Sequence, residues 1–199
     1  MKYWKQVALG AAAVVATAAI PAVHAAEVSY AQVLANTCAG CHGPDGSSRG
    51  PSAPTIAGMS PEIFIDAMRD YRDGKRYGTV MQRIAKGYTD EQIKLMAEFF
   101  AKQPFQRFPQ NHVAKLAETG AKLHERYCEK CHENGGKASA EAGVLAGQWI
   151  PYLRFQIEDY QSGAREYKEK NMQKRLTELL EKEGEKGLEA LYHFYASQK

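Results

Sequence analysis

The sequence Cys-x-x-Cys-His occurs twice in this chain, and the two copies use all 4 of its cysteines. They stand at Cys38-Ala39-Gly40-Cys41-His42 and at Cys128-Glu129-Lys130-Cys131-His132. Two thiols three residues apart on a helical turn can each form a thioether to one porphyrin, and the histidine that follows is then held beneath the iron. A four-cysteine zinc site would leave both adjacent histidines unexplained. A thioredoxin-like redox pair would sit beside a βαβ pattern, which this sequence lacks. The motif therefore predicts two covalently bound haem c groups. The first is attached through Cys38 and Cys41 with His42 as proximal iron ligand, and the second through Cys128 and Cys131 with His132.

Residues 1–26 read as a cleavable signal peptide: Lys2 and Lys5, an apolar run from Val7 to Ile20, and small residues around Val23-His24-Ala25-Ala26. A membrane anchor is the competing reading, but the run is short for a bilayer and rich in weakly hydrophobic Ala. No later stretch is apolar enough to span. The expectation is an exported protein, placed in the periplasm of a bacterium, with no membrane span. Loss of Lys2 and Lys5 would bring the formal net charge from +3 to about +1, and haem propionates lower it further. That balance gives no footing for nucleic-acid binding or an anionic membrane surface.

Internal repetition sets the domain organisation. Ile56-Ala57-Gly58 matches Leu145-Ala146-Gly147. Twelve residues beyond each glycine stands Asp-Tyr-x-x-Gly-x-Arg, as Asp70-Tyr71 with Gly74 and Arg76, then Asp159-Tyr160 with Gly163 and Arg165. The ends rhyme too, as Phe99-Phe100-Ala101-Lys102-Gln103 and Phe194-Tyr195-Ala196-Ser197-Gln198. We expect an all-α chain of two duplicated haem domains, residues 27–104 and 113–199. Residues 105–112 form a linker whose two prolines, Pro104 before it and Pro109 within it, deny a continuous helix. A short helix is expected from Tyr30 to Cys41. Ser60 with Pro61 should open a second helix that stops near Gly74, and Thr89-x-x-Gln92 reads as a capping box.

The sixth iron ligand must come from elsewhere. Met172 is the only methionine after the second motif. It stands in a polar stretch with Lys170, Asn171 and Lys174, where a helix-surface role is the competing reading. Met81 lies 43 residues after Cys38, as Met172 lies 44 after Cys128, and each follows its Asp-Tyr-x-x-Gly-x-Arg. Met68 and Met96 read as core. His112, His124 and His193 have no ligand spacing; His124 reads as a solvated helix position. Thioether ligation opposite histidine raises the reduction potential and leaves no open iron position, which suits an electron carrier better than a catalytic haem. Ligating histidines commonly donate their second ring N–H to a carbonyl. Pro54, twelve residues after His42, is placed for this, resembling the proline of class I cytochromes c; the aligned second-half residue is Gly143. Trp149, Tyr152, Tyr160 and Tyr167 are candidates to line the second haem or to fill its core.

Beyond these generic motifs, the chain resembles the dihaem cytochrome subunits of flavocytochrome c sulfide dehydrogenases. The resemblance rests on Cys38-Ala-Gly-Cys-His-Gly43, Met81-Gln-Arg-Ile-Ala-Lys-Gly-Tyr88, Thr119-Gly-Ala-Lys-Leu-His124, Tyr127-Cys-Glu-Lys-Cys-His132, Leu145-Ala-Gly-Gln-Trp149, Pro151-Tyr-Leu153 and Phe194-Tyr-Ala-Ser-Gln198. It is weakest at residues 135–142 and 161–170. It implies class I cytochrome c-like domains, with axial methionines at Met81 and Met172. It also implies a heterodimer in which an FAD-containing sulfide dehydrogenase flavoprotein passes electrons to this chain, and a small soluble cytochrome c accepts them. The chain has no Gly-x-Gly-x-x-Gly after a strand and no spare cysteine, so it would be no enzyme on its own. The alternative is a free-standing dihaem carrier feeding a terminal oxidase, since such cytochromes share the repeat and the Leu-Ala-Gly-Gln stretch.

Overall fold

A computed structural model describes residues 28–138 and 142–199; the expected signal peptide lies outside the described residues. The first half holds α1 (Tyr30–Asn36), α2 (Ala39–His42), α3 (Pro61–Arg72), α4 (Met81–Ile84) and α5 (Asp90–Ala101), with a 3₁₀ turn at Ala85–Gly87. The second holds α6 (Ala114–Tyr127), a tight turn α7 (Glu133–Gly136), α8 (Ile150–Gln161) and α9 (Lys170–Ser197). The described residues form no strand, only isolated bridges at Arg76–Arg165 and Glu133–Ala138.

Local chemistry explains most boundaries. Ser29 caps α1 by accepting from the Gln32 N–H. The expected unbroken helix from Tyr30 to Cys41 is instead interrupted at Thr37. Its hydroxyl donates to the Leu34 carbonyl at 2.6 Å, a side-chain bond that competes with the helical ladder. The chain then tightens, with Thr37 and Cys38 N–H groups reaching carbonyls three residues back, and restarts as α2. Pro61 opens α3, but Ser60 gives no side-chain cap and donates to Glu62 instead. Gly74 follows the end of α3 at φ 74°, a left-handed conformation that suits glycine after a helix. Thr89 and Gln92 make both bonds of the capping box. A positive φ at Gly184 kinks α9 into two segments.

Each half closes around its own apolar core. Leu34, Phe64, Met68, Ile93, Met96 and Phe100 build the first. Leu123, Tyr127, Leu153, Leu179, Leu188 and Tyr195 build the second. In both, the helix before the cysteines packs on the last helix, α1 on α5 and α6 on α9. The second crossing is especially close: a Cβ on Gly120 would stand 2.1 Å from the Ala190 carbonyl oxygen.

The halves are joined through buried polar contacts. Gln148, 3% exposed, accepts from the Thr55 N–H at 3.0 Å and donates to the Thr55 carbonyl at 2.9 Å. Trp149 donates its indole N–H to the Ser48 carbonyl. Its ring covers Gly50, where any Cβ would be 2.6 Å from the indole. Trp149 is thus tied to the first half rather than being simply a filler of the second. The 105–112 segment runs along this seam. Gln106 donates to Asp45, Gln110 bonds the backbone at Gln148 and Ile150, and the Arg49 guanidinium lies 4.7 Å from the Phe108 ring centroid.

Candidate haem sites

In the first half, the bonds that close α2 carry Cys38 into its N-cap and place His42 in its last turn. His42 is 8% exposed, and its Nδ1 lies 2.7 Å from the Pro54 carbonyl. A carbonyl only accepts, so Nδ1 carries the hydrogen and Nε2 keeps its lone pair. Burial pushes the His42 pKa down, opposed by that carbonyl bond, so the ring is held as the neutral imidazole that iron requires.

The second half reaches the same arrangement by another backbone. The Cys131 and His132 N–H groups return to the Cys128 carbonyl, and α7 turns through left-handed Asn134 and Gly135. His132 Nδ1 lies 2.8 Å from the Gly143 carbonyl, and burial likewise lowers its pKa. Proline is therefore not needed for the bond; the backbone carbonyl at the aligned position suffices.

Burial pushes the Cys38 thiol up and the Cys128 thiol up to about 11. Both shifts come from the apolar setting around the first cysteine of each pair. Each cysteine pair also belongs to a different half. Among the described residues, no three His, Cys, Asp or Glu side chains gather as a metal site. A covalent porphyrin fits the residues present: paired thiols, an oriented neutral imidazole, and an apolar body to bury the macrocycle.

Met81 opens α4 and is half-buried against the first core. Met172 lies in the first turn of α9, half-buried, and is not among the side chains packed on the second core. Met68 and Met96 are buried core residues. His112 is exposed, and His193 pairs with Glu189 while accepting from the Val113 N–H.

His124 departs from the sequence expectation. It is 2% exposed rather than solvated, held between Tyr195 (Nδ1, 2.9 Å) and Glu129 (Nε2, 2.6 Å). Glu129 also accepts from the Asn134 and Gly135 N–H groups, clamping the turn after His132. The positions aligned in the first half, Leu34, Ala39 and Phe100, cannot make this chain of bonds. A histidine four residues before Cys128 gave no spacing signal; the polar residues matched to apolar ones in the other repeat were the available clue.

The duplicated Asp-Tyr-x-x-Gly-x-Arg copies meet each other. Tyr77 N–H donates to the Ala164 carbonyl at 3.0 Å, forming the bridge between Arg76 and Arg165. Both guanidiniums donate to Gln156 Oε1, that of Arg165 at 2.7 Å. Tyr160 and Tyr167 stack at 4.4 Å between ring centroids, and Arg165 lies over Tyr160. In the poorly matched 161–170 stretch, Lys168 pairs with Asp66 and Asp70 of the first half.

Two helical halves of this kind, each with an oriented histidine after paired cysteines, define a dihaem electron-transfer fold. The cytochrome c family model matches residues 30–103. The chain is 49% identical over 83 residues to the cytochrome subunit of sulfide dehydrogenase from Chlorobaculum tepidum, covering 42% of this chain and 74% of that one. It is 32% identical over 151 residues to cytochrome c4 from Pseudomonas aeruginosa, covering 71% and 75%. Its fold superposes on crystalline reduced cytochrome c4 from Pseudomonas stutzeri with a TM-score of 0.73, at 23% identity over 88% of this chain and all of that one. The chain belongs to the cytochrome c family, and haem c electron transfer is its chemistry. No helix among the described residues is long and apolar enough to cross a membrane.

Proposed function

We propose that this chain is the dihaem subunit of a sulfide-oxidising flavoprotein–cytochrome complex, exported to the periplasm through residues 1–26. It accepts electrons from an FAD-bearing partner and delivers them to a small soluble cytochrome c. The observation that carries the electron-transfer role is the histidine that follows the paired cysteines in each half, its Nδ1 tied to a carbonyl and its Nε2 available. The identity to the sulfide dehydrogenase subunit supports the choice of donor.

When bound, haem c supplies a one-electron ferric/ferrous couple. Cys38 with Cys41, and Cys128 with Cys131, would anchor it; His42 and His132 would each offer Nε2 to an iron, and Met81 and Met172 would offer a thioether sulfur. Methionine sulfur would favour the ferrous state and leave no open position for a substrate, which suits a carrier. The Pro54 and Gly143 carbonyls keep each imidazole from rotating, which limits rearrangement when the charge on iron changes. Residues 27–104 and 113–199 act as the two redox domains, joined by 105–112.

Purification of the native complex, scored for co-eluting flavin and for sulfide-dependent haem reduction, tests this role. A stoichiometric flavoprotein and reduction by sulfide are expected. A flavin-free dihaem protein inert to sulfide would instead establish a free-standing carrier feeding a terminal oxidase, the reading that similarity to cytochrome c4 across most of the chain favours.

A further inference from the structure

One peptide unit, that between Pro54 and Thr55, is held from both halves of the molecule. On one side its carbonyl accepts from His42 Nδ1 at 2.7 Å. On the other its N–H, that of Thr55, donates to Gln148 Oε1 of the second half at 3.0 Å. Gln148 completes the contact by donating Nε2 to the Thr55 carbonyl at 2.9 Å. Thr55 and Gln148 are 2% and 3% exposed, so water does not compete for these bonds. The segment is also tied at its start. The Ser48 N–H donates to Thr55 Oγ1, and the Ser48 carbonyl accepts from the Trp149 indole N–H.

A peptide unit is planar, so a partner that fixes its N–H also fixes the direction of its carbonyl. Hydrogen bonds in a dry chain polarise one another, and an amide whose N–H is donating has a carbonyl that accepts more strongly. A stronger acceptor on Nδ1–H makes an imidazole a more basic ligand through Nε2. Gln148 thereby acts on an imidazole through a peptide of the other half. The first-half residue aligned with Gln148 is Met59, which has no amide and packs on the first core. The influence through this position therefore runs from the second half to the first.

We propose that Gln148, supported by Trp149, is a positioning residue for His42: the second half sets the orientation and basicity of the first half's histidine through the Pro54–Thr55 peptide. This rests on the reading that His42 ligates a covalent haem. A more basic imidazole favours ferric iron, so Gln148 holds the potential of the first haem down and leaves that of the second alone.

The test uses the intact chain and its Gln148→Leu, Trp149→Phe and Lys168→Ala variants, each first assayed for two covalent haems by pyridine haemochrome. NMR of the ferrous protein follows solvent exchange of the Nδ1 protons of His42 and His132, and spectroelectrochemical titration reads both midpoint potentials. Gln148→Leu should speed exchange at His42 roughly tenfold, as loss of one buried hydrogen bond implies, and raise the potential of the first haem. His132 and the second haem should not change. Trp149→Phe keeps a ring near Gly50 but loses the bond to Ser48, so it should give a smaller change of the same sign. It carries the test if Gln148→Leu does not fold. Lys168→Ala removes the ion pairs to Asp66 and Asp70, loosening the junction without touching Thr55, and should leave His42 exchange as it is. Two-haem variants at Gln148 and Trp149 with unmoved His42 exchange and potential, or a Lys168→Ala variant that speeds His42 exchange equally, overturn the positioning role. An unmodified chain lacking two covalent haems overturns the haem reading, and the positioning role with it.

Discussion

At the scale of single residues, the two haem sites reach one imidazole geometry by different means. His42 bonds to the carbonyl of a proline and His132 to that of a glycine, because only the carbonyl is chemically required. The second site adds Glu129, whose carboxylate bonds two backbone N–H groups and His124. The Gly135 N–H bond, with help from His124 and Asn134, holds its pKa below the usual carboxylate range. A depressed folded-state pKa adds stability above the unfolded value and loses it as pH falls through the folded value. Glu129→Gln should therefore cost about 1 kcal/mol at neutral pH. That difference from the parent should disappear below the carboxylate range in denaturant titrations run against pH. Met172→Leu is expected to remove sulfur from the second iron, lower that haem's potential and leave the first unchanged. The NMR signal of one ligated methionine methyl should vanish; two persisting signals would reject the assignment.

At the scale of elements, the crossing of α6 on α9 depends on absence of a side chain. Gly120→Ala would place a methyl against the backbone of Ala190, which cannot swing aside as a side chain end could. Overpacking of this kind costs about 2 kcal/mol, and chemical denaturation should show it without a change in haem content at low denaturant. Much of this level was legible beforehand. The Thr89–Gln92 box, the Pro61 start and the Gly74 stop are local devices, readable because their bonds span a few neighbouring residues. The break at Thr37 was not, since a threonine side chain returning to Leu34 competes closely with continued helix.

At the scale of the whole molecule, the halves are joined through a polar seam rather than by the linker alone. Gln148 satisfies both backbone groups of Thr55 where water is excluded. Gln148→Leu would leave a buried N–H and C=O unpaired, at a cost of about 2–4 kcal/mol for the two together. We expect a single calorimetric unfolding transition in the parent and two in the variant; a single transition in the variant would place the coupling elsewhere.

The amino-acid sequence by itself determined the number of covalent haems expected, the cysteines and histidines proposed to hold them, the duplication, and the helical class. These follow from short fixed spacings and from a repeat that each half carries complete. Only the tertiary structure decided that His124 is buried in a bonded chain, that Trp149 and Gln148 belong to the junction, and that Arg76 meets Arg165. Each of these depends on residues 71 to 101 positions apart, brought together by the α6–α9 crossing for His124 and by the packing of one half on the other for the rest. No local pattern encodes such an approach. The repeated Asp-Tyr-x-x-Gly-x-Arg could be recognised as a copy of itself, but its two copies become one contact only when the fold brings them face to face.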